Sequence, residues 1–344
     1  MSHSGASSSV TRSCIVVGAG LSGLIAARTL ASAGWDVIVL ERESGAGGRS
    51  ASIQLPSASH RDGQEATFDH GAQFFTVRDP HFQELVDQWI DNGHVIEWSR
   101  GFAAGDGSYY ADGHPRYRGH PNMAAIAGHL AESLDIQLNQ KVNSIELEER
   151  LWSVSLSGNL SLKSSSLILT PPVPQALRLI DAGLLGWDST ERQILEKISY
   201  DPCLALLILL DEPTNFPHPG GLWPQDGPID WIADNFQKGV SAIPGTITIH
   251  AGAEFSRTYW DANDKTITEK LLKAAAPWIT GQIIEKQVCR WPYSKPMWTY
   301  PDAFFAADVG APLIFAGDAF AGPRVEGAIL SGLSAANYLL AANN

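Results

Sequence analysis

A chain of 344 residues, 44% hydrophobic and 18% charged, can bury a sizeable core as two domains or as one domain with an elaborate insertion. Its 24 basic and 37 acidic residues give a formal net charge of −13, which argues against general binding of nucleic acid or anionic membranes. Three cysteines, Cys14, Cys203 and Cys289, form no C-x-x-C or zinc pattern, so they exclude a disulfide framework and point to a reducing, cytoplasmic setting.

Residues 1–13 are rich in Ser and lack an apolar stretch, so they read as a disordered tail and not as a secretory signal. Cys14 to Val17 reads as a short apolar strand. Residues 22–33 have helical spacing, with Leu24, Ala27, Leu30 and Ala31 on one face and Gly34 at the expected stop. Asp36 to Leu40 is a second strand, so the chain opens with half of a βαβ unit. A glycine-containing loop runs to Ser50, and there the regular alternation ends. The pattern predicts a helix over 79–92, short strand-like pieces over 94–118, a helix over 122–134, and strands over 136–138, 141–148 and 151–157. A strand at 167–170 stops at Pro171-Pro172, and helices are expected over 173–185 and 189–197. The stretch 202–255 is dominated by strands. Its longest aliphatic run, Leu204 to Leu210, is far too short to span a bilayer and reads as a buried strand. A helix over 264–280, a strand over 284–291, a last strand over 312–316 and a last helix over 326–341 complete the chain. The expected organisation is discontinuous: residues 14–75, 136–172 and 284–344 form a nucleotide domain, and residues 76–135 and 173–283 form a mixed α/β cap.

The chemistry-bearing signature is split between the two ends. Gly18-x-Gly20-x-x-Gly23 follows a strand and opens a helix, the context a dinucleotide site requires. Gly18 permits the tight turn, Gly20 lets backbone N–H groups approach a pyrophosphate, and Gly23 lets the helix pack near the strand. The helix N-terminus favours phosphate charge. Glu41, at the end of the second strand, is placed to accept hydrogen bonds from an adenosine ribose. Beyond it, Gly48 allows close backbone approach and Arg49 can reach phosphate or a flavin edge. In the run Asp69-His70-Gly71-Ala72-Gln73-Phe74-Phe75, the Gly-Ala step suits backbone passing against a planar ring. Near the C-terminus, Gly317 ends the last strand, Asp318 can bond a ribityl hydroxyl, and the helix from Glu326 aims its positive end at the ring. Leu21, Ser22, Arg42, Val142, Val325 and Ile329 complete the candidate cofactor-binding set. Each piece has a plain structural alternative: a βα turn, a surface loop, a bulged strand, a packing helix. A nicotinamide-binding domain usually completes its site in one block, whereas the split points to FAD held across the whole molecule.

These residues, together with Leu169-Thr170-Pro171-Pro172, resemble the FAD-dependent amine oxidase superfamily. Within it, Asp69 to Phe75, Ile249-His250 and Arg290-Trp291-Pro292-Tyr293 resemble renalase and its bacterial relatives, over nearly the whole chain apart from the Ser-rich tail. The resemblance implies a glutathione-reductase-like FAD-binding Rossmann domain with a mixed α/β substrate-cap domain. It also implies oxidation of misreduced 2- and 6-dihydro isomers of NAD(P) to NAD(P)+, with O2 reduced to H2O2. Monoamine oxidases attach FAD through a cysteine just before the terminal helix. Here that region reads Ala321-Gly322-Pro323-Arg324, so FAD is expected to be non-covalent.

On the substrate side the candidates are His250, Trp291 and Arg290. By resemblance His250 lies on the substrate face of the flavin, although a histidine at a strand end is more often a structural hydrogen-bonder. Trp291 can wall the pocket or fill a core. Arg290 can pair with a substrate phosphate or with a protein carboxylate. Hydride transfer needs no protein nucleophile or metal, and no such motif stands out. The expected partners are a dihydronicotinamide dinucleotide and O2, with no nucleic acid or membrane, on a monomer or weak dimer. Three rivals remain: an amine or amino-acid oxidase on the same fold, a carotenoid desaturase or isomerase, and a flavin-binding redox sensor without turnover.

Overall fold

A computed structural model describes residues 12–55, 65–187, 190–320 and 322–342. The expected tail lies outside the described residues as far as residue 11, and Ser13 is already in a strand. The strand Ser13–Val17 sits inside a six-stranded sheet. On one side it pairs in parallel with Asp36–Leu40, which pairs in parallel with Asp135–Gln137. On the other side it pairs in parallel with Ser166–Leu169, then Leu313–Phe315, and an antiparallel edge strand Phe305–Ala307 closes the row. Both faces of such a sheet are covered, which is why Cys14-Ile15-Val16-Val17 is apolar without alternation. Cys14 and Val16 face the helices Leu21–Ser32, Ala124–Ala131 and Val325–Ala342. Ile15 and Val17 face a three-stranded meander (Val142–Glu148, Leu151–Leu156, Ser161–Ser164) and the helix Val173–Ala182.

The second unit is a seven-stranded sheet. Its order is Ile283–Pro296, Tyr200–Leu210, Thr246–Ala251, Ile229–Asp234, Gly221–Trp223, Val95–Ala104 and Tyr109–Gly119. The run Leu204 to Leu210 is a buried strand, as expected. Leu204, Leu206, Ile208 and Leu210 meet the side packed by helix Asp264–Ala275, while Leu207 and Leu209 meet a hairpin of Ser52–Leu55 and Ala66–Asp69. The alternation in Thr246-Ile247-Thr248-Ile249-His250 divides in the same way. Ile247 and Ile249 join the helix-side core, whereas Thr248 and His250 hydrogen-bond to the carbonyls of Asp69 and His70.

Several boundaries differ from expectation. Ile283–Pro296 pairs along Tyr200–Leu210, so the strand expected at 284–291 is longer and belongs to the cap sheet, not to the nucleotide domain. Helix Pro80–Asp91, expected in the cap, buries Phe82, Val86 and Trp89 in the same core as the first and last helices. Asp79 caps it, accepting from His81 N and Phe82 N. The pieces expected over 94–118 form two long paired strands whose register shifts near Ser99 hid their length. The hairpin of Ser52–Leu55 and Ala66–Asp69 and the short helix Ala253–Thr258 carried no pattern strong enough to read. The last helix, Val325–Ala342, is long and apolar enough to cross a membrane, yet it packs as a core helix here. A Cβ on its Gly332 would come within 2.2 Å of Ser22 O, so the absence of a side chain sets the approach of the two helices.

Candidate functional site

Strand order reverses on the two sides of Ser13–Val17, and in open α/β sheets ligands bind in the crevice beyond the carboxyl ends at such a point. A cavity of about 1280 Å³ starts there and runs to the cap sheet. Val17 and Leu169 end side by side. Thr170 Oγ1 donates within reach of Val17 O (2.8 Å) and Gly18 O (3.1 Å), and Gly18 turns at φ +101°. Gly18, Gly20, Leu21 and Ser22 wall this end. Gly23 does not reach the cavity. A Cβ there would lie 2.0 Å from Gly18 O, so Gly23 serves the close helix–strand approach. Glu41 lines the cavity and fixes its floor, accepting from Ala19 N (2.8 Å) and Glu43 N (3.0 Å). Arg42 and Val142 stand on the adjoining wall, with Arg42 paired to Glu43 at 2.9 Å.

The two ends of the chain meet at Arg49 and Asp318. The guanidinium grips the carboxylate through two bonds of 2.6 and 2.7 Å and also donates to Tyr293 O. Gly48 (φ +52°) and Gly317 (φ +142°) supply the backbone turns that bring the pair together. Gly71, Ala72, Gln73 and Phe74 run along the same cavity. Ala72 N donates to Arg49 O at 2.8 Å, and a Cβ on Gly71 would lie 2.0 Å from that oxygen. Gln73 turns inward and donates to Asp69 O and Gly71 O.

The cap supplies the far wall. Trp291 Nε1 and His250 Nε2 both donate to His70 O, at 2.9 and 3.1 Å. Trp291 stacks on the His70 ring at 4.9 Å and 28°. Burial pushes the His250 imidazole down to about 4, with nearby Lys238 acting in the same direction and the His70 carbonyl against it. Burial likewise lowers His70, against the pull of Asp69. Both rings are therefore uncharged near neutral pH. Beyond them Phe74 joins Trp98, Phe102, Trp223 and Trp231 in a tilted aromatic cluster. Behind the wall lies a wholly buried ion pair, Lys238 Nζ to Asp69 Oδ2 at 2.7 Å. Asp69 also accepts from Ser52 Oγ and Met123 N, so the end of the strand that leads into His70 to Phe74 is tied to Lys238 of the cap on one side and to the nucleotide domain on the other.

Besides Gly23, three expected site residues lie elsewhere. Arg290 points to the opposite face of its strand from Trp291, as period-2 alternation requires. It pairs with Asp264 at 2.7 Å and donates to Ala262 O, which staples helix Asp264–Ala275. Glu326 does not line the cavity; its carboxylate accepts from Arg78 N and Asp79 N and fastens helix Pro80–Asp91. Ile329 is fully buried in the core behind the cavity, whereas its neighbour Val325 lines it. The sequence reading missed Arg178, Cys203, Asp230 and Tyr293 as wall residues. Tyr293 lies two residues beyond Trp291, at a bulge in the strand, and lines the same cavity. Arg178, Cys203 and Asp230 carried no motif.

A flavin fits these residues. Helix Leu21–Ser32 begins at Gly20 with no side-chain cap, so its first N–H groups are left for a ligand, and Ser22 Oγ beside them has no partner among the described residues. A Cβ on Gly20 would meet nothing within 4 Å, which leaves room for close approach. The residues that would hold the group are Gly18 to Ser22, Glu41, Gly48-Arg49, Gly71-Ala72 and Asp318.

The overall arrangement matches solved structures of several oxidases at low sequence identity. A putrescine oxidase bound to putrescine superposes with a TM-score of 0.70 at 16% identity, over 96% of this chain and 99% of that one. Cyclohexylamine oxidase from Brevibacterium oxydans IH-35A gives 0.70 at 14%, over 97% and 99%. A putative protoporphyrinogen oxidase from Exiguobacterium sp. 255-15 gives 0.71 at 12%, over 95% and 98%. A curated relative, an L-amino acid dehydrogenase of Synechocystis sp., is 37% identical over 76 residues, which span 22% of this chain but only 15% of that protein. Residues 16–89 match the NAD(P)-binding Rossmann-like domain. Residues 89–340 match the flavin containing amine oxidoreductases, so the chain belongs to that family.

Proposed function

We propose that this protein is an FAD-dependent oxidase of the renalase type. It takes a hydride from 2- or 6-dihydro isomers of NAD(P), releases NAD(P)+, and passes two electrons to O2 to give H2O2. The donor loses two electrons and a proton as hydride, and O2 gains both electrons and two protons, one of them from solvent. Bound FAD supplies the hydride-accepting ring and the electron path to O2. The observation that carries this reading is the uncharged, aromatic far wall: neutral His250 and His70, with Trp291 stacked on His70. A dihydropyridine gives up hydride without first losing a proton, whereas an amine is a cation at neutral pH and must be deprotonated before oxidation. His250 and Trp291 are held by one carbonyl, so their work is to orient a flat ring and exclude water. Non-covalent attachment is supported by the thiols. No cysteine stands in Ala321 to Arg324, just before the terminal helix, and burial pushes the cavity-lining Cys203 thiol up to about 12, which leaves it a poor nucleophile.

One observation favours a second reading. Asp230 lines the cavity and could hold an ammonium, as an amine oxidase requires. Anaerobic stopped-flow mixing separates the two. Dihydronicotinamide isomers should bleach the flavin much faster than benzylamine, dopamine, amino acids or ordinary 4-dihydro NADH. Rapid bleaching by an amine, with the isomers inert, transfers the assignment to amine oxidation. Flavin that stays with acid-precipitated protein overturns non-covalent binding.

A further inference from the structure

The cavity wall on the side of helix Val173–Ala182 carries a cation with an unusual partner. Arg178 lines the cavity and remains exposed. Its guanidinium bonds the Tyr293 hydroxyl at 2.9 Å and lies 5.9 Å from the Tyr293 ring centroid. Among the described residues no carboxylate lies within ion-pair distance of it, in a chain whose net charge is −13. The other arginine at this junction, Arg49, is already gripped by Asp318. Tyr293 is itself well fixed, packing edge-on against Tyr200 at 5.6 Å while its carbonyl accepts from Arg49. Arg178 is thus an anchored cation whose charge no described carboxylate pairs.

Its position relative to the far wall is set by the strand Ile283–Pro296. Trp291 and Tyr293 both line the cavity, two residues apart, where the pairing of that strand with Tyr200–Leu210 bulges between Trp291 and Lys295. Held by the Tyr293 hydroxyl, the Arg178 guanidinium therefore stands in the same cavity, on the wall next to the one that Trp291 forms. In a nicotinamide dinucleotide the first phosphate follows the ring by one ribose. We infer that Arg178 receives the pyrophosphate of a dinucleotide substrate, with Tyr293 as the residue that positions it. This inference rests on the dihydronicotinamide reading above. It adds the reason why a dinucleotide, and not a free dihydropyridine, is the preferred donor: the guanidinium offers paired donors to phosphate oxygens.

The test uses Arg178→Ala, Arg178→Lys and Tyr293→Phe holoenzymes with two donors. One is the 6-dihydro isomer of NAD; the other is a phosphate-free N-methyl dihydronicotinamide of the same ring isomer. Loss of a bond to a charged group corresponds to roughly a ten- to hundred-fold change. Arg178→Ala should raise KM for the dinucleotide by about that factor more than KM for the phosphate-free donor, with kcat for the dinucleotide moving far less and the salt dependence of KM reduced. Arg178→Lys should recover part of the loss. Equal effects on both donors, or no effect, overturn the assignment, and so does loss of FAD from Arg178→Ala, which would make Arg178 a cofactor ligand. If wild type oxidises neither donor, the oxidase reading fails. ADP-ribose titrated against the oxidised holoenzyme then decides the anion subsite alone, through the flavin absorbance change. A change abolished in Arg178→Ala sustains the subsite, and one that is absent in wild type or unaltered in the variant overturns it. Amino acids that reduce the flavin with a KM raised by Arg178→Ala would make the recognised anion a carboxylate, which also overturns the pyrophosphate assignment.

Discussion

The two ends of the cavity are built on different principles. The cofactor cradle is made largely of backbone: Gly18, Gly20 and Gly48 leave space, an uncapped helix start offers N–H groups, and Glu41 and the Arg49–Asp318 pair fix the loops. The far wall is made of side chains. His70 follows one strand, His250 and Trp291 come from two others, and both of the latter bond the His70 carbonyl oxygen. Backbone sites depend on local conformation, so a short motif can announce them. Side-chain sites depend on which strands pair and in what register, so residues far apart in the sequence must be brought together before the site exists. The same contrast predicts how each end fails.

The largest effect should come from behind the far wall. Lys238→Met strands the buried Asp69 carboxylate without its cation, which should cost about 3–5 kcal/mol of stability in urea unfolding. Because the cradle does not use Lys238, surviving protein should stay yellow while flavin reduction slows. Flavin lost in step with stability would show that the two ends are one unit.

Gly23→Ala attacks the other end. Its Cβ would stand 2.0 Å from Gly18 O, so the first helix must move off the strand at a cost of about 1–3 kcal/mol or more. Flavin content per protein should fall sharply although the cap sheet is untouched. A fully loaded Gly23→Ala protein would mean that the approach of helix to strand does not set the cradle.

Glu41→Ala should act more mildly at the same end. The carboxylate accepts two backbone N–H bonds and faces the cavity, and bonds of this kind are worth roughly 1.5–3 kcal/mol, or a ten- to hundred-fold loss of flavin affinity. The residual holoenzyme should be reduced at close to the normal rate. A loaded mutant with slow reduction would move Glu41 to the chemical end of the cavity.

The smallest effect is a dependence on pH. His250 is held neutral by burial, with its titration pushed down to about 4 from an ordinary value near 6.5. The unfolded chain binds a proton as pH falls through 6.5, whereas the folded chain does so only near 4. Stability from this group is therefore fully present above 6.5 and is lost as pH falls towards 4. His250→Gln should flatten the fall in melting temperature across that window. Equal slopes in the two proteins would mean that His250 takes up its proton in the folded chain as readily as in the unfolded one.

Much of the cradle was legible in the sequence. The strand–glycine–helix start, Glu41, Gly48-Arg49 and Gly317-Asp318 stand where their local patterns place them. The aliphatic run Leu204 to Leu210 is the buried strand its composition implies, and the alternation ending at His250 divides between the two faces of its strand, because burial on one side or both leaves a period in the chain. Arg290 failed through that same rule. One residue from Trp291 along a strand is the opposite face, and there Asp264 was waiting for the charge. Glu326 and Ile329 failed because a helix start near a cavity shows it only one side: Val325 faces the cavity, Glu326 turns to the neighbouring helix start and Ile329 to the core.

By itself, then, the sequence determined the local conformations: where glycine lets the backbone turn or approach, which runs are strands, and which helix begins without a cap. These follow from φ/ψ freedom and periodic burial, which act over a few residues. The tertiary structure alone decided that Ile283–Pro296 lies in the cap sheet beside Tyr200–Leu210, and that His70, His250 and Trp291 share one oxygen. It also decided that Lys238 neutralises Asp69 in the dry interior, and that Arg178 is left with a phenol in place of a carboxylate. Those outcomes are set by pairing register and by the cost of burying charge, and neither is defined until distant segments of the chain are in contact.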